Sequence, residues 1–145
     1  MADSKNKKFV YKNSITWENQ KKGLLSSREK PSFQVATPPE FKGHEGIWSP
    51  EDLFVASVNA CIMTTFLYFA EKEQIALKSY ESEAEGFLEM VDRKLKFSEI
   101  KVRPKICVKC KDQIEKTKEM IAVSEKRCLI SHSIDAKVEV IPQIE

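Results

Sequence analysis

A chain of 145 residues suits one domain built on one hydrophobic core. Its 24 Lys and Arg against 22 Asp and Glu leave a formal charge of +2, which excludes the strongly basic profile of a nucleic-acid or membrane-surface binder. Residues 1–8 are polar and hold no signal-peptide apolar region, so a disordered tail is expected ahead of a single domain over 9–145, in the cytoplasm, with neither nucleic acid nor membrane as partner. Cysteines in that compartment rest reduced, which argues against a disulfide framework and leaves packing, metal binding or redox chemistry to the four present.

Phe9, Tyr11, Ile15 and Trp17 fall on one side of a period-2 pattern and predict a half-buried first strand. A turn over 18–23, a short return strand over 24–27 and a third strand through Phe33, Val35 and Thr37 follow, with a hairpin as the simplest connection. Pro38 and Pro39 must end the third strand, because each lacks a backbone donor.

Residues 49–73 predict one long helix, the element around which the chain is organised. Ser49 suits the N-cap, Pro50 the first helical position, and Asp52 completes a capping box. From Leu53 to Ala70 nearly every position is apolar or small, so the helix is expected to be buried all round. Ser57, Asn59, Thr64 and Thr65 interrupt the run, and it reads as too short and broken for a membrane span.

Tyr80, Ser82, Ala84 and Gly86 alternate with Glu81, Glu83 and Glu85 in a strand over 77–88, whose small inner residues would let a helix approach closely. A turn at Asp92 and Arg93 leads into a strand over 94–108. There the apolar phase slips from Leu95 and Phe97 to Ile100, Val102 and Ile106, which requires a bulge near Ser98 and Glu99. Pro104 points to an edge or bulge position. Asp112 and Glu115 predict a second capping box, opening a helix to Arg127 with Ile114, Met120 and Ile121 inward; a last strand covers 134–141. The order is β-β-β-α-β-β-α-β, an α+β class with antiparallel hairpins.

Four cysteines and two histidines carry the possible chemistry. Cys107 and Cys110 form a Cys-Val-Lys-Cys pair, but zinc needs about four ligands, no second pair exists, and His44 and His132 stand alone, so no metal is expected. Cys61, in mid-helix, reads either as a small buried hydrophobe or as a reactive thiol, and Cys128, where the second helix ends, is open to the same two readings.

The stretch Ser49-Pro50-Glu51-Asp52-Leu53-Phe54 followed by Ala60-Cys61 resembles the signature of the OsmC/Ohr family, which covers osmotically inducible protein C and organic hydroperoxide resistance proteins. Thr37-Pro38-Pro39-Glu40-Phe41 with Gly43, the Glu51 to Cys61 spacing, Cys128 with Ser131, and Val138-Glu139-Val140 agree with it, so the resemblance runs over about 14–141. It implies an OsmC-like fold with antiparallel sheets around the long helix, intertwined as a homodimer. It also implies a cysteine-based peroxidase acting on organic hydroperoxides, needing no cofactor and regenerated by an external dithiol. On that resemblance Cys61 is the reactive cysteine, Cys128 the resolving cysteine, and Glu51 the carboxylate that orients a cation. The family's arginine is replaced here by Lys21 or Lys22, with Arg28 as an outside candidate, and its usual Cys-Pro becomes Cys128-Leu129. Phe41, Trp48, Met63 and Phe66 are expected to line an apolar substrate pocket. The alternative reading is a dimer of the same fold that binds a small apolar or sulfur-containing molecule without catalysis.

Glu51 and Cys61 stand ten residues apart on one helix, which at about 1.5 Å per residue separates them by roughly 15 Å. They cannot touch within one chain.

Overall fold

The structure, a computed structural model, describes residues 7–145. Of the tail expected over 1–8, residues 1–6 lie outside the described residues, and Lys7 and Lys8 are exposed and irregular. The chain divides into two compact units, one ending at Leu53 and the other covering Phe54–Glu145.

In the first unit β1 (Ser14–Asn19), β2 (Lys22–Ser26) and β3 (Phe33–Ala36) form an antiparallel sheet in that order. The first strand was expected from Phe9. It starts at Ser14 because β2 ends at Ser26, the partner of Ser14, leaving residues 9–13 nothing to pair with. All six β1 residues are exposed in the single chain, where half-burial was expected, and Trp17 stands 74% open. The turn tightens to Gln20 and Lys21, with Gln20 at φ +50° and the Trp17 indole donating to the Gln20 carbonyl at 2.9 Å. Past β3, Pro38 and Pro39 lead into a 3-10 turn (Pro39–Phe41), and the connector returns beside β3 through Ala36 N–H donating to Trp48 O at 2.9 Å.

Helix α1 (Pro50–Lys72) begins as its sequence dictates. Asp52 N–H donates to Ser49 Oγ at 3.0 Å, while Ser49 N–H and Oγ–H both donate to Asp52 Oδ2, at 3.0 and 2.9 Å, closing a reciprocal capping box. Uniform burial does not follow. Only the stripe Val58, Ile62, Phe66 and Ala70 is buried, four residues apart, whereas Leu67 and Tyr68 stay exposed. At 23 residues, with an 18-residue stretch of mean hydropathy 1.8, α1 is long and apolar enough to cross a membrane by length and composition alone, contrary to the sequence expectation. Its buried stripe instead joins a core with Ile100, Val102, Ile106 and Ile121 of the second unit.

That unit pairs β4 (Leu77–Val91) with β5 (Lys94–Val108) in a long antiparallel hairpin. The anticipated bulge sits at Ser98, between the pairs Phe87↔Glu99 and Leu88↔Phe97. Gly86 explains the small inner face of β4: a Cβ there would lie 2.4 Å from Val55 Cγ2 of α1 and 2.9 Å from the Phe97 ring. Pro104 falls between the segments of β5 paired by β6 (Lys137–Val140) and β7 (Gln143–Ile144), so its missing donor interrupts no bond on that side.

Three expectations are corrected. Both β6 and β7 run parallel to β5, where antiparallel pairing was expected, and β7 was not foreseen. The second capping box does not form: a 3-10 turn (Lys111–Gln113) precedes α2 (Ile114–Arg127), Gln113 occupies the N-cap without a side-chain bond, and Glu115 pairs with Lys118 at 3.2 Å. The last strand, expected over 134–141, narrows to Lys137–Val140, and one helical turn, α3 (Leu129–His132), precedes it.

Candidate active site

Cys61 lies midway along α1 and Cys128 at the junction of α2 and α3, both within the second unit and both free thiols. The junction is built by backbone geometry. Cys128, extended at φ −66° and ψ 115°, breaks α2 and serves as the N-cap of α3, so the N–H groups of Leu129 and Ile130 are left without helical partners. They turn toward the Cys61 sulfur together with the Cys128 side chain, while Thr65 Oγ1 approaches the same sulfur at 3.8 Å from one turn along α1.

This environment separates the two thiols. Burial alone would raise Cys61, but hydrogen bonds from the Cys128 thiol, Ile130 N–H, Thr65 hydroxyl and Leu129 N–H favour the thiolate, and the net displacement is downward. Cys128, fully buried, is pushed up by burial, by its hydrogen bond to Cys61 and by the charge developing there; the Ser131 hydroxyl and N–H oppose this in part. Cys61 is therefore the more acidic of the two thiols, and Cys128 faces it as a hydrogen-bond donor. A nucleophilic sulfur beside a second thiol is the arrangement that can be oxidised to a sulfenic acid and close a disulfide.

The remaining predicted residues lie apart from this pair or in the other unit. Lys21 sits in the β1–β2 turn with its ammonium donating to Lys42 O at 3.0 Å; Lys22 opens β2, and Arg28 is exposed. Glu51, in the first turn of α1, has a buried Oε1 with no hydrogen-bond partner among the described residues. Phe41 and Trp48, also in the first unit, are 41% and 53% exposed. Met63 lines a groove of about 300 Å³ with Ala56, Asn59, Ala60, Tyr80 and Ser82, about 200° round the helix from Cys61. Phe66 has no exposed surface: it stacks on Tyr80 with ring centroids 5.6 Å apart, so it packs the core rather than lining a pocket. Cys107 donates to Glu145 Oε1 at 3.3 Å and Cys110 is exposed. Among the described residues no cluster of three or more His, Cys, Asp or Glu is placed to hold a metal ion.

Sequence reasoning missed Thr65 and the two amides of α3. The signal for Thr65 was its spacing of four from Cys61, which puts both on one helix face.

No curated protein matches the sequence. Solved structures do match the fold. An OsmC-like protein of unknown function from Vibrio cholerae superposes with a TM-score of 0.79 at 20% identity, covering 94% of this chain and 100% of its own. An organic hydroperoxide resistance protein from Legionella pneumophila gives 0.68 at 22% identity, covering 95% and 99%. A putative organic hydroperoxide resistance protein from Vibrio cholerae, with captopril bound in one of its active sites, gives 0.67 at 22% identity, covering 98% and 96%. The family model described as OsmC-like protein matches residues 43–142, and the chain belongs to that family.

Proposed function

We propose that this protein is a thiol-dependent peroxidase that reduces organic hydroperoxides, with Cys61 as the reactive and Cys128 as the resolving cysteine. The observation that carries the reading is the Cys61–Cys128 pair itself, in which one thiol is shifted toward its thiolate and the other held protonated beside it. Cys61 sulfur attacks the terminal oxygen of ROOH; the S–O bond forms, the O–O bond breaks, and the departing alkoxide takes a proton from water to give ROH. Cys61 sulfenic acid then condenses with the Cys128 thiol, releasing water and leaving a disulfide. An external dithiol returns both cysteines to thiols and is itself oxidised to a disulfide, with no bound cofactor. A reducing, cytoplasmic compartment suits this cycle.

The working form is a homodimer. Ile15, Trp17, Leu67 and Tyr68 are exposed in the single chain, an unusual amount of open apolar and aromatic surface. The unpartnered Glu51 oxygen calls for a cation, which Lys21 or Lys22 would supply in the dimer. Phe41 and Trp48, both exposed in the single chain, are assigned to substrate contact on the same footing, whereas Met63 faces away from Cys61.

Mixing the reduced protein separately with cumene hydroperoxide and hydrogen peroxide, and following thiol loss by mass, tests the activity. Faster loss with cumene hydroperoxide is expected; no loss with either would refute the peroxidase reading.

The second reading, a binding dimer without turnover, draws on two observations. Lys21 is already engaged with the Lys42 carbonyl, and one structural neighbour holds captopril in an active site. Slow alkylation of Cys61 at neutral pH would favour it.

A further inference from the structure

The hydroxyls of α1 and α2 follow one habit, with a single exception. Ser57 donates to Phe54 O at 2.7 Å, Thr64 to Cys61 O at 3.2 Å, Thr117 to Gln113 O at 2.8 Å and Ser124 to Met120 O at 2.6 Å. Each returns its proton to a carbonyl three or four residues back, as helical Ser and Thr ordinarily do. Thr65 has the same option toward the Cys61 carbonyl, yet its Oγ1 makes its contact with the Cys61 sulfur at 3.8 Å. Thr64 occupies that carbonyl instead, which leaves the Thr65 proton free for the sulfur.

We infer that Thr65 is an activating residue, whose hydroxyl donates to the Cys61 thiolate and holds its charge against the helix surface. The direction of donation follows from the chemistry: once the sulfur is ionised it carries no hydrogen, and the hydroxyl alone can donate. A hydrogen bond to an ionised acceptor is stronger than one between neutral groups, so the contact favours ionisation. From the neighbouring junction the sulfur meets the Cys128 thiol and the N–H groups of Leu129 and Ile130. Within that unit these donors are neutral, Cys128 is the one titratable group among them, and the downward displacement of Cys61 accords with the arrangement. The chain thus carries a thiolate-holding donor on the reactive helix itself, in addition to any cation brought by a lysine.

This inference rests on Cys61 being the reactive thiol, and its test is separable from the peroxidase reading. The reduced full-length protein, Thr65→Val and Thr65→Ser are alkylated with iodoacetamide from about pH 5 to 10, and modification of the Cys61 peptide is read by mass. Valine keeps the shape and removes the donor; serine keeps the donor and removes the methyl. Thr65→Val is expected to move the alkylation midpoint to higher pH and slow the neutral reaction roughly threefold to tenfold, the effect of one lost hydrogen bond, while Thr65→Ser stays near the parent protein. An unchanged midpoint in Thr65→Val, or a Thr65→Ser as slow as the valine variant, overturns the inference. Peroxide consumption by the parent protein is measured beside it, so a protein that alkylates as expected yet consumes no peroxide refutes the peroxidase and leaves Thr65 standing.

Discussion

Cys61 should behave as an acidic thiol. Its displacement is downward, so its thiolate fraction, and with it the alkylation rate, should rise at lower pH than for an ordinary cysteine, while Cys128 should lag behind one. Removing the Cys128 donor acts in the opposite sense: Cys128→Ala should slow neutral alkylation of Cys61 by roughly threefold to tenfold. Under peroxide, Cys128→Ser should consume one equivalent, stop at the sulfenic acid and drift to the sulfinic acid, as the mass of the Cys61 peptide would show. The lysines are tested by rate. A guanidinium has a planar fork that ammonium lacks, so Arg in place of the functional lysine, Lys21 or Lys22, should raise peroxidase turnover by up to about tenfold, and Met should lower it. Indifference at both positions and at Arg28 would remove all three from the mechanism.

At the scale of elements, two contacts can be tested directly. Ser49→Ala removes the two bonds of the Ser49 hydroxyl and leaves Ser49 N–H on Asp52 Oδ2, and should lower stability by about 1 kcal/mol in urea unfolding. Gly86→Ala drives a methyl into Val55 and Phe97 and should lose about 1–3 kcal/mol, where an open strand position would tolerate alanine. Three features were legible in the sequence, because each depends on residues close in the chain or on simple alternation: the Ser-Pro-Glu-Asp start, the small inner face of β4 and the phase slip at Ser98. What escaped depends on distant partners. The start of β1 is set by where β2 ends, the parallel placement of β6 and β7 by the crossover through α2, and the partial burial of α1 by what packs on it. The short helix α3 is another such case, since nothing periodic marks four residues, yet its first amides shape the environment of Cys61. The two cysteines that the structure brings together could be named from the motif, whereas the neutral donors around them could not.

At the scale of the whole molecule, the exposed Trp17, Tyr68 and Leu67 argue for a second copy of the chain. Light scattering at micromolar concentration should return a dimer, and a folded monomer would contradict the proposed assembly together with the role given to Glu51. In the proposed cycle the sulfurs of Cys61 and Cys128 are the two that exchange electrons with the peroxide. Peptide mapping of the protein after one equivalent of cumene hydroperoxide tests it most directly. A disulfide joining Cys61 to Cys128, with Cys107 and Cys110 still reduced, is the predicted result; a Cys107–Cys110 bridge alone, or a Cys61→Ser variant that reacts as fast as the parent, would contradict it.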